Sequence, residues 1–426
     1  MLNTNKKLVE NILSLIILQG SNYILPLITF PFLVRVLGTQ GYGIIAFTTS
    51  LMYLFIVFVD FGFNVTITKK IAINQNDSIY ISKIFNNVIV IKLILTAFSF
   101  IILCMIITFI PKFHTNYQIY LVGFLSVVGS AIFPLWFFQG IEKMRYITLI
   151  NISTKFLTTA LTIMLVREKT DIILAMLLQS MNYLLPGLIS LLFVTKKYKF
   201  NLFNSLDIKF IKKEFVEGIQ VFLSSIWVNI YVQGPMLITG FIAGDKAAGY
   251  YGIGQKIMAA MVGVMQPISQ ATYPHMCHLY EKSVALFREF KKKLLLFCIT
   301  SSFLVSALMF TFSQLLIKLV TGHENYSLDL LIKLFSIAVL IIIINTQLTQ
   351  IIYVLNKYNA LQKMNLFNAI FFTIISIPLT FKFQSVGMIM SVIIIELIST
   401  IISINIIGII GKNKVTNEVI EKAGQG

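Results

Sequence analysis

The chain has 426 residues, of which 57% are hydrophobic and only 12% charged, with a mean hydropathy of +0.86. A water-soluble protein of this length cannot hide so much apolar surface, which excludes soluble enzymes and soluble nucleic-acid-binding domains. The formal net charge of +17 must therefore be read by its distribution along a membrane chain.

Twelve apolar stretches follow one another, at about 11–34, 44–61, 87–110, 118–140, 147–165, 172–194, 216–243, 250–274, 294–317, 330–353, 365–381 and 385–411. Each is about twenty residues long, the length an α-helix needs to cross a bilayer. The expected fold is all-α: a polytopic membrane protein of about 12 transmembrane helices in two six-helix bundles. The first run has a basic flank but no small-residue cleavage site after it, so it reads as a retained helix. With the N-terminus inside, 23 of the 34 Lys and Arg fall on the cytoplasmic side. Eight fall on the opposite side, counting Lys333 at the edge of its span. This positive-inside bias predicts cytoplasmic termini. Anionic headgroups account for the basic loops, and no nucleic-acid partner is expected.

Span one carries Pro26 and Pro31, and Gln19, Asn22, Tyr23, Pro26 and Thr29 share one face. A proline frees a backbone carbonyl, which a membrane tolerates only where another group or water satisfies it. Arg35 follows at the periplasmic end. Asp60 lies near the cytoplasmic end of span two, and Lys92, with Thr96 and Ser99, in span three. In span five, Asn151, Lys155, Thr158, Thr159 and Thr162 follow helical spacing and form one polar stripe. A central lysine costs about 2.5–3.5 kcal/mol to insert, so this span is expected to face the protein interior or a wet cavity. Span seven is again polar, through Gln220, Ser224, Ser225, Asn229 and Gln233, and Pro235 is expected to break it. Lys256 of span eight shares its face with Gly252, Ala259, Ala260 and Gly263, which leave space beside the ammonium. Glu396 lies at the centre of span twelve with Ser399, Thr400 and Ser403.

Ionisable groups inside a bilayer mark function by default. Lys155, Lys256, Lys92 and Arg35 are the candidate cationic lining for an anionic headgroup. Asn151, Thr159, Asn22 and Asn229 are the candidate polar lining, and Glu396 and Asp60 the candidates for ion coupling. The competing readings are structural: snorkelling for Lys92 and Lys256, a headgroup anchor for Arg35, helix-to-helix pairing for Glu396 and a helix-end anchor for Asp60. His275-Met-Cys277-His278 offers three soft ligands within four residues, which cannot easily close around one ion. Cys104, Cys277 and Cys298 show no paired spacing, and no metal, disulfide or cofactor is expected. No nucleophile triad or phosphate loop is present, so the chain does not read as an enzyme.

Two echoes join the halves. Gly38-Thr-Gln-Gly-Tyr-Gly43 after span one matches Gly244-Asp-Lys-Ala-Ala-Gly249 after span seven. Gln139-Gly140-Ile-Glu142-Lys143 after span four matches Tyr353-Val-Leu-Asn356-Lys357 after span ten. Six spans separate each pair, so the repeat is parallel. The predicted organisation is a first bundle over 1–194, a basic cytoplasmic linker over 195–215, a second bundle over 216–411 and a cytoplasmic tail over 412–426.

Trp136-Phe-Phe-Gln139-Gly140-Ile-Glu142-Lys143-Met, Gly38-x2-Gly41-Tyr42-Gly43, Asp60-Phe61-Gly62 and Gly249-Tyr250-Tyr251-Gly252-x3-Lys256 together resemble signatures of the Wzx-type O-antigen flippases. These belong to the superfamily of multidrug, oligosaccharidyl-lipid and polysaccharide exporters. The resemblance runs from about residue 8 to 410. It implies a multi-pass protein of the bacterial inner membrane that moves undecaprenyl-pyrophosphate-linked sugar units to the periplasmic leaflet by ion-coupled alternating access. The partners it implies are that lipid-linked oligosaccharide, membrane lipid and other polysaccharide assembly proteins. One alternative is a multidrug antiporter driven by protons or sodium; three span lysines against two acids favour an anionic cargo over a cationic drug. The other is an integral-membrane polymerase or glycosyltransferase, for which a large periplasmic loop would be expected. The longest outside segment here is about twelve residues.

Overall fold

In the computed structural model the backbone is described for residues 2–200 and 207–423, and side chains for 20–21, 24–200, 207 and 209–408. The described residues form fourteen helices and no strand. They are α1 (Leu2–Asp60), α2 (Phe63–Ile73), α3 (Ser78–Phe109), α4 (Pro111–His114), α5 (Tyr117–Ile132), α6 (Leu135–Gly140) and α7 (Met144–Leu165). The chain continues with α8 (Ile172–Tyr198), α9 (Ile208–Gly263), α10 (Gln266–Lys282), α11 (Val284–Thr311), α12 (Ser313–Thr321), α13 (Tyr326–Val354) and α14 (Tyr358–Ala423). Local chemistry sets several starts. The Asp77 carboxylate accepts from the Tyr80 N–H at 2.9 Å to cap α3, and Asn325 accepts from the Leu328 N–H at 3.1 Å to cap α13.

Nine stretches are long and apolar enough to cross a membrane, among the described residues. Three of them, of 50, 55 and 51 residues, are each long enough for two crossings, since one needs about twenty. Non-helical backbone interrupts the long helices α1, α9 and α14 at Gly38, Gly244 and Gln384, and the 50-residue stretch turns again at Phe61 and Gly62 between α1 and α2. Outward-facing side chains such as Phe98, Phe156 and Phe303 are more than half exposed, as a lipid solvent permits.

The prolines do not break the helices as expected. Pro26, Pro31 and Pro235 sit in continuous helical backbone, and the breaks fall at Gly38 (φ 74°, ψ 173°) and Gly244 (φ 84°, ψ 179°). Positive φ is open to glycine without steric cost. These two glycines are the partners of the first sequence echo and share one conformation. The second echo is closer still. The Lys143 N–H donates to the Phe138 carbonyl at 3.0 Å and the Glu142 N–H to Gln139 at 3.1 Å. Correspondingly, Lys357 donates to Ile352 at 3.2 Å and Asn356 to Tyr353 at 2.9 Å. Glu142 (φ 55°) and Asn356 (φ 56°) are both left-handed. Both corners are therefore Schellman closures of the preceding helix.

The chain divides into two compact units, Met1–Phe241 and Ile242–Gly426. The division falls at 241/242, not within the basic stretch 195–215, because the first part of α9 packs into the first unit. Lys70 of α2 pairs with Glu214 at 2.5 Å and Glu217 at 2.6 Å. Phe222 stacks on Phe61 with centroids 4.8 Å apart and planes at 11°. Ahead of α9, Lys83 pairs with Asp207 at 2.8 Å and holds its carboxyl below the usual range. A repeat is a matter of register and a unit one of packing, so the two need not share a boundary.

In the first unit a wholly buried aromatic core of Phe63, Phe85, Trp136, Phe137 and Phe138 is built around the motif residues of α6. Helices α5 and α8 cross backbone to backbone. A Cβ added at Gly129 would meet the backbone of Tyr183 and Leu184, and one at Gly187 would meet the Gly129 carbonyl. Gly129→Val is therefore expected to force the two helices apart and destabilise the unit by at least about 1–3 kcal/mol. A clear fall in its melting temperature in detergent checks this. An unshifted melt would show that the crossing can relax.

Candidate functional site

Helix α7 has two polar faces. Thr154, Thr158 and Thr162 are fully buried, and Thr158 Oγ1 donates to Asn182 of α8 at 2.6 Å. Asn151, Lys155 and Thr159 are half-buried beside them, and Thr159 lies 3.5 Å from Thr29 of α1. The stripe read from the sequence thus splits: its threonines at 158 and 162, with Thr154, serve helix packing, and Lys155 stands with Asn151 and Thr159. Asn22 of α1 lies outside the residues whose side chains are described, as do Gln19 and Tyr23. Asn229 is half-buried, with its amide spent on the Ser225 carbonyl at 2.9 Å. Arg35 is exposed.

Two residues expected in separate roles are brought together. Lys92 of α3 is 1% exposed, and its Nζ donates to Asp60 Oδ1 at 2.7 Å and to the Ser130 carbonyl of α5 at 3.1 Å. Asp60 also accepts from Asn64 at 2.8 Å. Lys92 and Asp60, read from the sequence in separate roles, are thus one ion pair. The ammonium is enclosed by a carboxylate and a carbonyl, because a buried charge is stable only when paired and hydrogen-bonded.

In the second unit, Glu396 is buried, and Asn345 of α13 donates to its Oε2 at 2.7 Å and to Ser399 Oγ at 3.0 Å. Asn368, earlier on α14, donates to the same Ser399 hydroxyl at 3.1 Å. The amide oxygens of Asn345 and Asn368 are buried and have no donor among the described residues. The cluster is thus rich in acceptors around one acid, which suits a proton or a small cation. Its two asparagines escaped the sequence reading because neutral amides leave little mark in an apolar run. Lys256 is exposed on α9 and makes no hydrogen bond or ion pair among the described residues.

Comparison with known proteins agrees with this architecture. Residues 8–279 match the model of a family described as "Polysaccharide biosynthesis protein". A protein named "Putative O-antigen transporter" in Escherichia coli (strain K12) is 31% identical over 91% of this chain and 93% of its own length. One of the same name in Shigella dysenteriae is 26% identical over 91% of this chain and 97% of its own length. Among solved structures, an inward-facing multidrug resistance MATE family transporter superposes with a TM-score of 0.64 at 12% identity, covering 93% of this chain and 98% of that one. The lipid II flippase MurJ, inward closed, gives 0.61 at 13% identity, covering 92% and 87%. At such identities the superpositions speak for the fold. The chain therefore belongs to the polysaccharide biosynthesis protein family, as a multi-pass membrane transporter of the Wzx flippase type and not an enzyme.

Proposed function

We propose that this protein moves an undecaprenyl-pyrophosphate-linked oligosaccharide, such as an O-antigen repeat unit, from the cytoplasmic to the periplasmic leaflet of the bacterial inner membrane. The observation that carries this reading is the kinship, over nine-tenths of the chain, with a protein named as an O-antigen transporter. The reading has the chain cross twelve times, with both termini cytoplasmic and two repeats, 1–194 and 216–411, alternating in access. Lys155, with Asn151 and Thr159, and Lys256 supply positive charge along the path, because a pyrophosphate leaving water needs compensation. Deletion in a polysaccharide-producing host should abolish surface polysaccharide and leave the lipid-linked unit on the cytoplasmic face. Single units accumulating on the periplasmic face would point to a polymerase and overturn the proposal.

Coupling to an ion gradient is assigned to Glu396. Its carboxylate, with the amide oxygens of Asn345 and Asn368 that have no donor among the described residues, supports reversible binding of a proton or sodium ion. Glu396→Gln keeps the shape but cannot carry the charge. It is expected to reduce gradient-driven export about tenfold, within the usual range of coupling energies, at normal protein level. Undiminished stimulation by the gradient in inverted vesicles would place the coupling elsewhere.

A further inference from the structure

The second unit has a cleft of about 310 Å³ at the ends of α10 and α13, lined by Tyr273, Cys277, Tyr280, Glu281, Tyr353 and Asn356. Its rings are held by other rings. Tyr280 packs edge-on against Phe287 at 5.2 Å, and Tyr353 against Tyr358 at 6.0 Å. Asn356 is fixed by the left-handed closure of α13 and accepts from the Tyr358 hydroxyl at 3.2 Å. That leaves its amide N–H groups without an acceptor among the described residues. Glu281 makes no ion pair or hydrogen bond there either. The matching corner of the first unit carries Trp136, Phe137 and Phe138, all wholly buried, and Gln75 donates to the Gly140 carbonyl at 2.9 Å.

Tyrosine rings offer flat apolar faces with a polar tip. A free carboxylate accepts and a free amide donates. Flat apolar faces, acceptors and donors together are what a pyranose requires: its C–H faces stack on rings and its hydroxyls need both kinds of partner. An aromatic box with one acid could also take an organic cation. Exposed Lys282 and Lys357, adjacent in sequence to Glu281 and Asn356, oppose a cation and favour a sugar attached to a pyrophosphate. We infer that this cleft is a sugar-binding subsite that takes a pyranose of the lipid-linked oligosaccharide before translocation. The inference rests on the proposed function, under which this end of the second unit faces the cytoplasm, where the cargo is made.

The test uses the full-length protein in a polysaccharide-producing host. A photoreactive phenylalanine analogue replaces Tyr353 in one strain and Thr159 in another, and adducts are probed for glycan. Export is also measured for Tyr353→Ala and Glu281→Gln while cargo supply is varied through the initiating glycosyl-phosphate transferase. The expected result is a glycan adduct at 353 that disappears without that transferase. Both variants should need about fivefold more cargo for half-maximal export with an unchanged maximum, the signature of lost binding before the committed step. A glycan adduct at 159 but none at 353, with unchanged half-saturation, overturns the subsite and leaves the transport reading standing. No glycan adduct at either position counts against both. Protection at 353 by tetramethylammonium but not by the free oligosaccharide overturns the inference in favour of a cation site.

Discussion

Asp60→Ala is expected to strip most of the protein from the membrane. Lys92, 1% exposed, has its ammonium 2.7 Å from that carboxylate, and removal of the carboxylate leaves it the neutral Ser130 carbonyl. Removing one partner of such a buried pair costs about 3–5 kcal/mol. That is a large part of the roughly 5–15 kcal/mol that holds a folded protein together. Lys92→Met should be milder, because Asp60 is 26% exposed and keeps its bond from Asn64. The double variant, Asp60→Ala with Lys92→Met, should recover much of the abundance and still export, since the pair is closed upon itself in the first unit. Membrane abundance and detergent melting of the three variants check this. A normal level for Asp60→Ala would mean that Lys92 is not held as an ion in the folded protein. A stable double variant without export would return both residues to the transport path.

Lys155→Ala is expected to behave in the opposite way, losing export at near-normal abundance. An ionic hydrogen bond to the pyrophosphate contributes about 1.5–3 kcal/mol, so its loss should slow export about ten- to a hundredfold. Lys155→Arg keeps the charge but changes its shape and should retain part of the activity. Surface polysaccharide divided by membrane protein level is the quantity to compare. Full export by the alanine variant would remove Lys155 from the path, and a parallel loss of abundance would make its role structural.

Much of this organisation is legible in the residues themselves. Hydropathy alone marks the polytopic all-α class, and Gly38 and Gly244, matched as letters 206 positions apart, share one backbone conformation. Glu142 and Asn356 do the same, although neither is a glycine, because the closing hydrogen bonds fix the corner whatever the side chain. The pairing of Lys92 with Asp60 was hidden, since the two lie 32 residues apart on helices whose rotation no periodicity reveals. The stripe on α7 is wide enough to straddle a helix interface, so neighbours such as Thr158 and Thr159 fall on different sides of it. The prolines misled because a helix can absorb the lost bond, whereas a positive φ at glycine cannot be absorbed. The tie from Lys70 to Glu214 and Glu217 joins residues about 145 positions apart and could not be anticipated.

The central claim is transbilayer movement of a pyrophosphate-linked sugar, and a reconstituted assay tests it most directly. The purified protein would be placed in liposomes carrying the host's undecaprenyl-pyrophosphate-linked oligosaccharide in the outer leaflet, with an imposed ion gradient. The cargo left accessible to an added glycosidase would then be followed with time. Protection of the cargo that requires the protein, and that falls about ten- to a hundredfold with Lys155→Ala, is the predicted result. Cargo that stays accessible in the presence of folded wild-type protein and a gradient of either protons or sodium would contradict it.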